Sequence, residues 1–190
     1  MMHLPISQLS AVLAKVLNRS IDGNDVITSV IAIASAAEDA MGGTSGALYS
    51  YAKLNYPSET CPLPDNASSI FFSGLAQGLQ AYLTQDGSKV TPSVWAQAAK
   101  FALNKLYNYT HARPPSRTLM DPLAVFVTSF ASEADLNAAV KAAGNAAEAT
   151  MDLDAKAGRS AYIEGSRLKD LQIPDPGAWG VKVILENLVE

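Results

Sequence analysis

The sequence predicts an all-α fold, and three observations carry that prediction. Apolar residues recur at three- and four-residue spacing along most of the chain. Alanine is abundant, while β-branched runs that would read as strands are scarce. Helix start and stop signals (Ser, Thr or Asp before an apolar run, Gly after it) punctuate these segments at helix-length intervals. The expected architecture is an antiparallel helical barrel or bundle of about seven to eight amphipathic helices, incomplete at the N-terminus.

Taken in order, Ile6, Leu9, Val12, Leu13, Val16 and Leu17 define a first amphipathic helix. A turn at Asp22-Gly23-Asn24 follows, and Asp25 caps a second helix carrying Ile27, Val30, Ile31, Ile33, Ala34 and Ala37. That helix stops at Gly42-Gly43, and the next begins near Thr44 and carries Leu48. Pro57, Pro62 and Pro64 preclude a continuous helix between Tyr51 and Ser69. Helical spacing resumes at Ile70, Phe71, Leu75, Leu79 and Leu83 and stops at Asp86-Gly87. Thr91-Pro92 opens a helix through Trp95, Ala99, Leu103, Leu106 and Tyr107. A loop with Pro114-Pro115 leads to Thr118, which opens a helix containing Leu119, Leu123, Phe126, Val127 and Phe130. Ser132 to Asp135 caps an alanine-rich helix from Leu136 to about Thr150. The stretch from Asp154 to Arg167 is less regular, and Asp175-Pro176 opens a last helix with Trp179, Val181, Ile184, Leu185 and Leu188.

With 190 residues, one domain is the default, and the chain is long enough to bury a core. The net charge of −4 comes without any Lys/Arg cluster, which argues against nucleic acid or an anionic membrane as partner. One cysteine and two well-separated histidines, His3 and His111, exclude an intramolecular disulfide and the usual zinc ligand sets. No apolar run reaches transmembrane length and the N-terminus has no signal-like pattern, so a cytoplasmic location is expected.

Several segments can carry chemistry. Gly42-Gly43-Thr44-Ser45-Gly46 places flexible backbone and two hydroxyls at a helix start, which suits either an ordinary capped turn or a cradle for phosphate. Asp121 sits in a first helical turn, either complementing the helix dipole or standing beside bound phosphates. Asp175-Pro176-Gly177 is ordinary capping grammar, and Gly177 also leaves room for a flat ring against the backbone. Asp152 and Asp154 read as solvated surface, as do Arg113, Arg117 and Arg159, which flank glycine- or proline-bearing loops. Trp95 and Trp179 fall at core-facing positions. No histidine pairs with Ser45 for nucleophilic catalysis, and neither the P-loop lysine motif nor the protein-kinase glycine loop occurs.

Three motifs occur in order: Met-Gly-Gly-Thr-Ser-Gly-Ala-Leu-Tyr at 41–49, Arg-Thr-Leu-Met-Asp at 117–121 and Asp-Pro-Gly-Ala-Trp-Gly at 175–180. Leu106 to Thr110 and Lys156 to Tyr162 lie between them. Together they closely resemble the ATP-binding (DhaL-type) domain of single-chain dihydroxyacetone (glycerone) kinases, over residues 25–190 apart from the proline-rich stretch. The resemblance implies an antiparallel eight-helix barrel with nucleotide at one rim. It implies ATP phosphates at Thr44 and Ser45, the nucleotide at Thr118 and Leu119, and adenosine bordered by Asp175, Pro176 and Gly177. Gly42, Gly43, Asp121 and Arg159 are further candidates, and no catalytic residue is assigned. The implied chemistry is phosphoryl transfer from Mg-ATP to dihydroxyacetone, with ATP/ADP as ligands and a homodimer as an open expectation.

Two departures qualify this. The family's Gly-Asp-Gly-Asp loop, whose carboxylates hold two Mg²⁺, has no counterpart here, so Mg²⁺ is expected for the family while its ligands are missing from this chain. The substrate domain that binds dihydroxyacetone through a histidine is also missing, so the activity of this chain alone stays open. Joining Ser50 to Ile70 restores the family's uninterrupted helix, so residues 51–69 read as an irregular insertion, with an intron read through as one source. The other functional reading is a non-catalytic helical module that senses nucleotide or binds a partner.

Overall fold

A computed structural model describes residues 25–40, 70–86, 90–156 and 172–189. The first expected helix, the glycine turn at 42–46 and the expected insertion at 51–69 lie outside these residues. Among the described residues there are six α-helices, one short 3-10 helix and no strand, so the all-α prediction holds. The chain divides into two compact units, residues 1–106 and 107–190.

The first unit contains α1 (Val26–Ala40), α2 (Ile70–Asp86) and most of α3 (Pro92–Tyr107). Asp25 caps α1 as its sequence position predicts. Its carboxylate accepts the Thr28 N–H at 3.0 Å and the Thr28 hydroxyl at 2.6 Å, and these bonds hold its pKa below the usual value. Thr91 and Pro92 open α3 in the same local way: Thr91 Oγ1 accepts the Val94 N–H at 3.3 Å, with Pro92 at the first helical position.

Val30, Ala76, Leu79, Val94 and Ala98 form the buried core of this unit, with Trp95 packed against it as expected. Two glycines set how closely α2 and α3 approach. A Cβ on Gly74 would lie 2.9 Å from Ala102 Cα, and one on Gly78 would lie 2.8 Å from Ala98 Cα. Both contacts are with backbone, so the neighbour cannot rotate away.

The second unit contains α4 (Met120–Glu133), α5 (Leu136–Ala149), the 3-10 turn Thr150–Asp152 and α6 (Pro176–Glu186). The expected cap at Ser132 to Asp135 divides into two roles. Ala134 closes α4 in the left-handed conformation (φ 54°), donating its N–H to Phe130 O at 2.9 Å. Asp135 opens α5, accepting the Ala138 N–H at 3.1 Å. Along α5 the buried residues are mostly alanine (Ala139, Ala143, Ala147) with Gly144. Their small size lets neighbouring helices pack close to the α5 backbone. Lys182 of α6 donates to Glu148 of α5 at 2.6 Å.

The outward face of α6 departs from the sequence reading. Ala178, Val181 and Leu185 are buried, whereas Trp179, Ile184 and Leu188 are exposed. Apolar residues surround this helix on nearly every side, so periodicity alone does not select the inward face. Trp179 instead lies under a cation, with Lys182 Nζ 4.4 Å from its ring centroid.

Two glycine substitutions of opposite sign test this packing. Gly78→Ala is expected to destabilise by about 1–3 kcal/mol, because overpacking outweighs a helix-propensity gain of about 1 kcal/mol. Among the described residues nothing lies within 4 Å of a Cβ on Gly180, so Gly180→Ala is expected to stabilise by about 0.4–1 kcal/mol. Urea midpoints read both, and a stabilised Gly78→Ala protein would contradict the close approach.

Candidate functional site

The buried polar and charged residues among those described are Ser116, Arg117, Asp121, Thr150 and Asp175, and all belong to one cluster in the second unit. Uncompensated burial of such groups is costly. Here the compensation comes from the backbone of three segments far apart in the sequence.

Arg117-Thr118-Leu119-Met120-Asp121 forms the entry to α4. Thr118 Oγ1 accepts the Met120 N–H at 3.2 Å, and the Asp121 carboxylate reaches back to the Thr118 N–H at 2.7 Å. These two bonds pair the Thr118 and Met120 amides at the helix entry, which would otherwise lack partners there. Asp121 also accepts the Ser116 N–H at 2.9 Å and the Ser116 hydroxyl at 3.3 Å. Both carboxylate oxygens are thus engaged by the loop that precedes their own helix.

Arg117 departs most from expectation. Read from sequence as a solvated loop charge, it is 2% exposed and holds φ at 56°. Its Nη1 donates to the carbonyls of Thr150 (2.6 Å), Met151 (3.0 Å) and Leu153 (3.4 Å), and its Nη2 to that of Ile173 (2.7 Å). Such partners, 33 to 56 residues away, leave no trace in local composition. Arg113, by contrast, is exposed; it bonds the carbonyls of Tyr107, Thr110 and Ala112 and lies 3.8 Å from the Tyr107 ring centroid. Burial raises the Tyr107 pKa, against the lowering effect of the Arg113 charge.

Thr150 carries the network to the third segment. Fully buried, it donates its hydroxyl to Ala147 O at 2.6 Å and accepts the Asp175 N–H at 2.9 Å. Asp175 caps α6 by accepting the Ala178 N–H at 3.0 Å, and Pro176 fills the first helical turn. Gly177 brings the two helix starts together. A Cβ there would lie 3.0 Å from Asp175 Oδ1, 3.3 Å from Leu119 Cβ and 3.6 Å from Leu119 N. The space that the missing side chain leaves is therefore used partly by Leu119 and the Asp175 carboxylate.

Thr118, Leu119, Asp121, Asp175, Pro176 and Gly177 are thus gathered at adjoining N-termini of α4 and α6. The expected positions Gly42, Gly43, Thr44, Ser45 and Arg159 lie outside the described residues. Asp152 and Asp154 are exposed, as expected. Sequence reasoning missed Ser116 and Thr150 as members of the cluster, and no signal in the chain marked them. Among the described residues no group of three or more His, Cys, Asp or Glu is placed to hold a metal ion. With Asp121 and Asp175 both engaged by backbone amides, these residues do not fit a resident Mg²⁺ site.

These features define an all-helical domain whose polar interior gathers at paired helix starts. The DAK2 domain family matches residues 67–190, and the chain belongs to that family. It is 41% identical over 172 residues to a dihydroxyacetone kinase of Pichia angusta, covering 87% of this chain and 25% of that protein. Dihydroxyacetone kinase 2 of Saccharomyces cerevisiae is 36% identical over 177 residues, 90% of this chain and 26% of that protein. Triokinase/FMN cyclase of Homo sapiens is 33% identical over 158 residues, 79% of this chain and 22% of that protein. The chain spans about a quarter of the length of these relatives. No solved structure matches it.

The Asp121 carboxylate can be tested directly. In Asp121→Asn, one of the two oxygens facing the Ser116 and Thr118 amides becomes an NH₂ group, setting donor against donor. The expected cost is about 1–3 kcal/mol, read from urea unfolding. A stability equal to the wild type would mean that the carboxylate does not organise the loop.

Proposed function

We propose that this chain is the ATP-binding domain of a dihydroxyacetone kinase, transferring the γ-phosphoryl group of ATP to dihydroxyacetone. The observation that carries the reading is the adjacency of the α4 and α6 starts, so close that a Cβ on Gly177 would lie 3.3 Å from Leu119 Cβ. Helix N-termini present amide donors and the positive end of the helix dipole, which suits a polyanion. The kinases matched over most of the chain support the same reading. The family match from 67 to 190 spans residues of both units, which supports treating them as parts of one nucleotide-binding domain.

In this reading Thr44 and Ser45 hold the phosphates, Thr118 and Leu119 lie at the nucleotide, and Asp175, Pro176 and Gly177 border the adenosine. Gly42, Gly43 and Arg159 complete the rim, and Asp121 keeps the Thr118 loop in place. The transfer breaks the bond from Pγ to the oxygen bridging it to Pβ and forms one to a hydroxyl oxygen of dihydroxyacetone, whose proton leaves. This chain's contribution is to fix the nucleotide so that the breaking and forming bonds lie in line. None of these residues is assigned to dihydroxyacetone itself. No described helix is long and apolar enough to cross a membrane, and a cytoplasmic location belongs to the same proposal.

Titration of ATP into the chain tests the reading calorimetrically. Saturable one-site binding is expected. The Thr44→Ala/Ser45→Ala double variant is expected to weaken it about tenfold or more, as for loss of charge-assisted hydrogen bonds, with the unfolding midpoint unchanged. Absence of ATP binding at millimolar nucleotide would overturn the proposal, and unchanged affinity in the double variant would reduce Thr44 and Ser45 to capping residues.

A further inference from the structure

We infer that Arg117 and Thr150 are positioning residues that hold the two helix starts in register for the nucleotide, an inference that rests on the ATP-binding reading above. Arg117 opens the 117–121 motif but reads from sequence as a loop charge, and nothing in the sequence marks Thr150. Arg117 ties the α4 entry to the carbonyls of Thr150, Met151 and Leu153, and to that of Ile173, two residues before the α6 cap. Thr150 adds a bond from its hydroxyl oxygen to the Asp175 N–H at 2.9 Å. The backbone pairing of Lys156 N–H with Ser116 O at 3.1 Å joins the segment after the 3-10 turn to the same loop.

The expense of this arrangement argues that it does more than close a loop. Arg117 adopts a left-handed backbone conformation that a non-glycine residue seldom takes, and strain of this kind persists where surrounding structure enforces it. A whole guanidinium is buried to make the ties, and its Nε–H has no hydrogen-bond partner among the described residues. A shorter apolar residue would fill a loop at lower desolvation cost. What the planar fork does that an apolar residue does not is fix two separate stretches of backbone at once, 150–153 and Ile173. Arg117 itself leads into Thr118-Leu119, and Ile173 into Asp175-Pro176-Gly177, the positions assigned to the nucleotide. Small displacements of groups that orient a reacting phosphate are costly, so the tether should act on nucleotide binding and not only on stability.

The test uses Thr150→Val, which keeps the side-chain shape and removes only the hydroxyl, beside Thr150→Ser, which restores it. Arg117→Lys keeps the charge without the fork, and Val127→Ala removes buried volume in α4 away from the rim. Thr150→Val and Arg117→Lys are expected to raise the Kd for ATP about tenfold or more. Thr150→Ser should bind within about twofold of wild type, and Val127→Ala should lose stability with Kd unchanged. Amide resonances of Leu119 and Gly177 in the nucleotide-free protein should shift in Thr150→Val and return in Thr150→Ser. Wild-type affinity in folded Thr150→Val, or an equal loss in Val127→Ala, would overturn the inference. Should the wild type not bind ATP, the functional reading fails, and the tether is judged by the amide resonances alone, whose failure to move overturns it.

Discussion

One guanidinium closed over by four carbonyl oxygens is the interaction on which the second unit's polar interior depends. The α5 C-terminus, the 3-10 turn after it and the approach to α6 are not otherwise fixed to the α4 entry by regular secondary structure. Carbonyls at a helix end are short of intrahelical donors; Arg117 supplies one to Met151 and a second to Thr150, which also accepts the Leu153 N–H, while reaching Ile173 with its other nitrogen. The Thr118–Asp121 bonds lie at one end of this tie and the Asp175 cap lies just beyond the other.

Charge at this rim is balanced more than it is positive. The starts of α4 and α6 contribute about half a positive charge each, and Arg117 one more, against two carboxylates. Asp121 and Asp175 are turned onto backbone amides, where their charge is absorbed by capping bonds. In the proposed reading, recognition of a polyphosphate here rests on oriented donors and shape, in a chain whose net charge of −4 opposes it at long range.

Much of the fold was legible in the sequence because it is written in local rules. Thr91-Pro92, Asp135 and Asp175-Pro176 act within three residues of themselves, and each caps the helix that its position predicts. The motifs at 117–121 and 175–177 were likewise legible, and the structure sets them side by side. What stayed hidden depends on partners distant along the chain. Arg117 reads as a loop charge because its acceptors lie beyond Thr150, and Thr150 itself ends a helix with no distinguishing mark. Gly74 and Gly78 look like weak helix residues until Ala102 and Ala98 are placed against them. On α6 the apolar residues encircle the helix, so Trp179 could be assigned to the core although it stands outside.

The central claim is that the paired starts of α4 and α6 form one edge of a nucleotide site. The most direct measurement is a titration of the isotopically labelled protein with ATP, following the backbone amide resonances. The Leu119 and Gly177 amides should be among those that move most, and both should follow one binding curve. Saturable ATP binding that leaves these two amides unmoved, with the shifts confined to other parts of the chain, would contradict it.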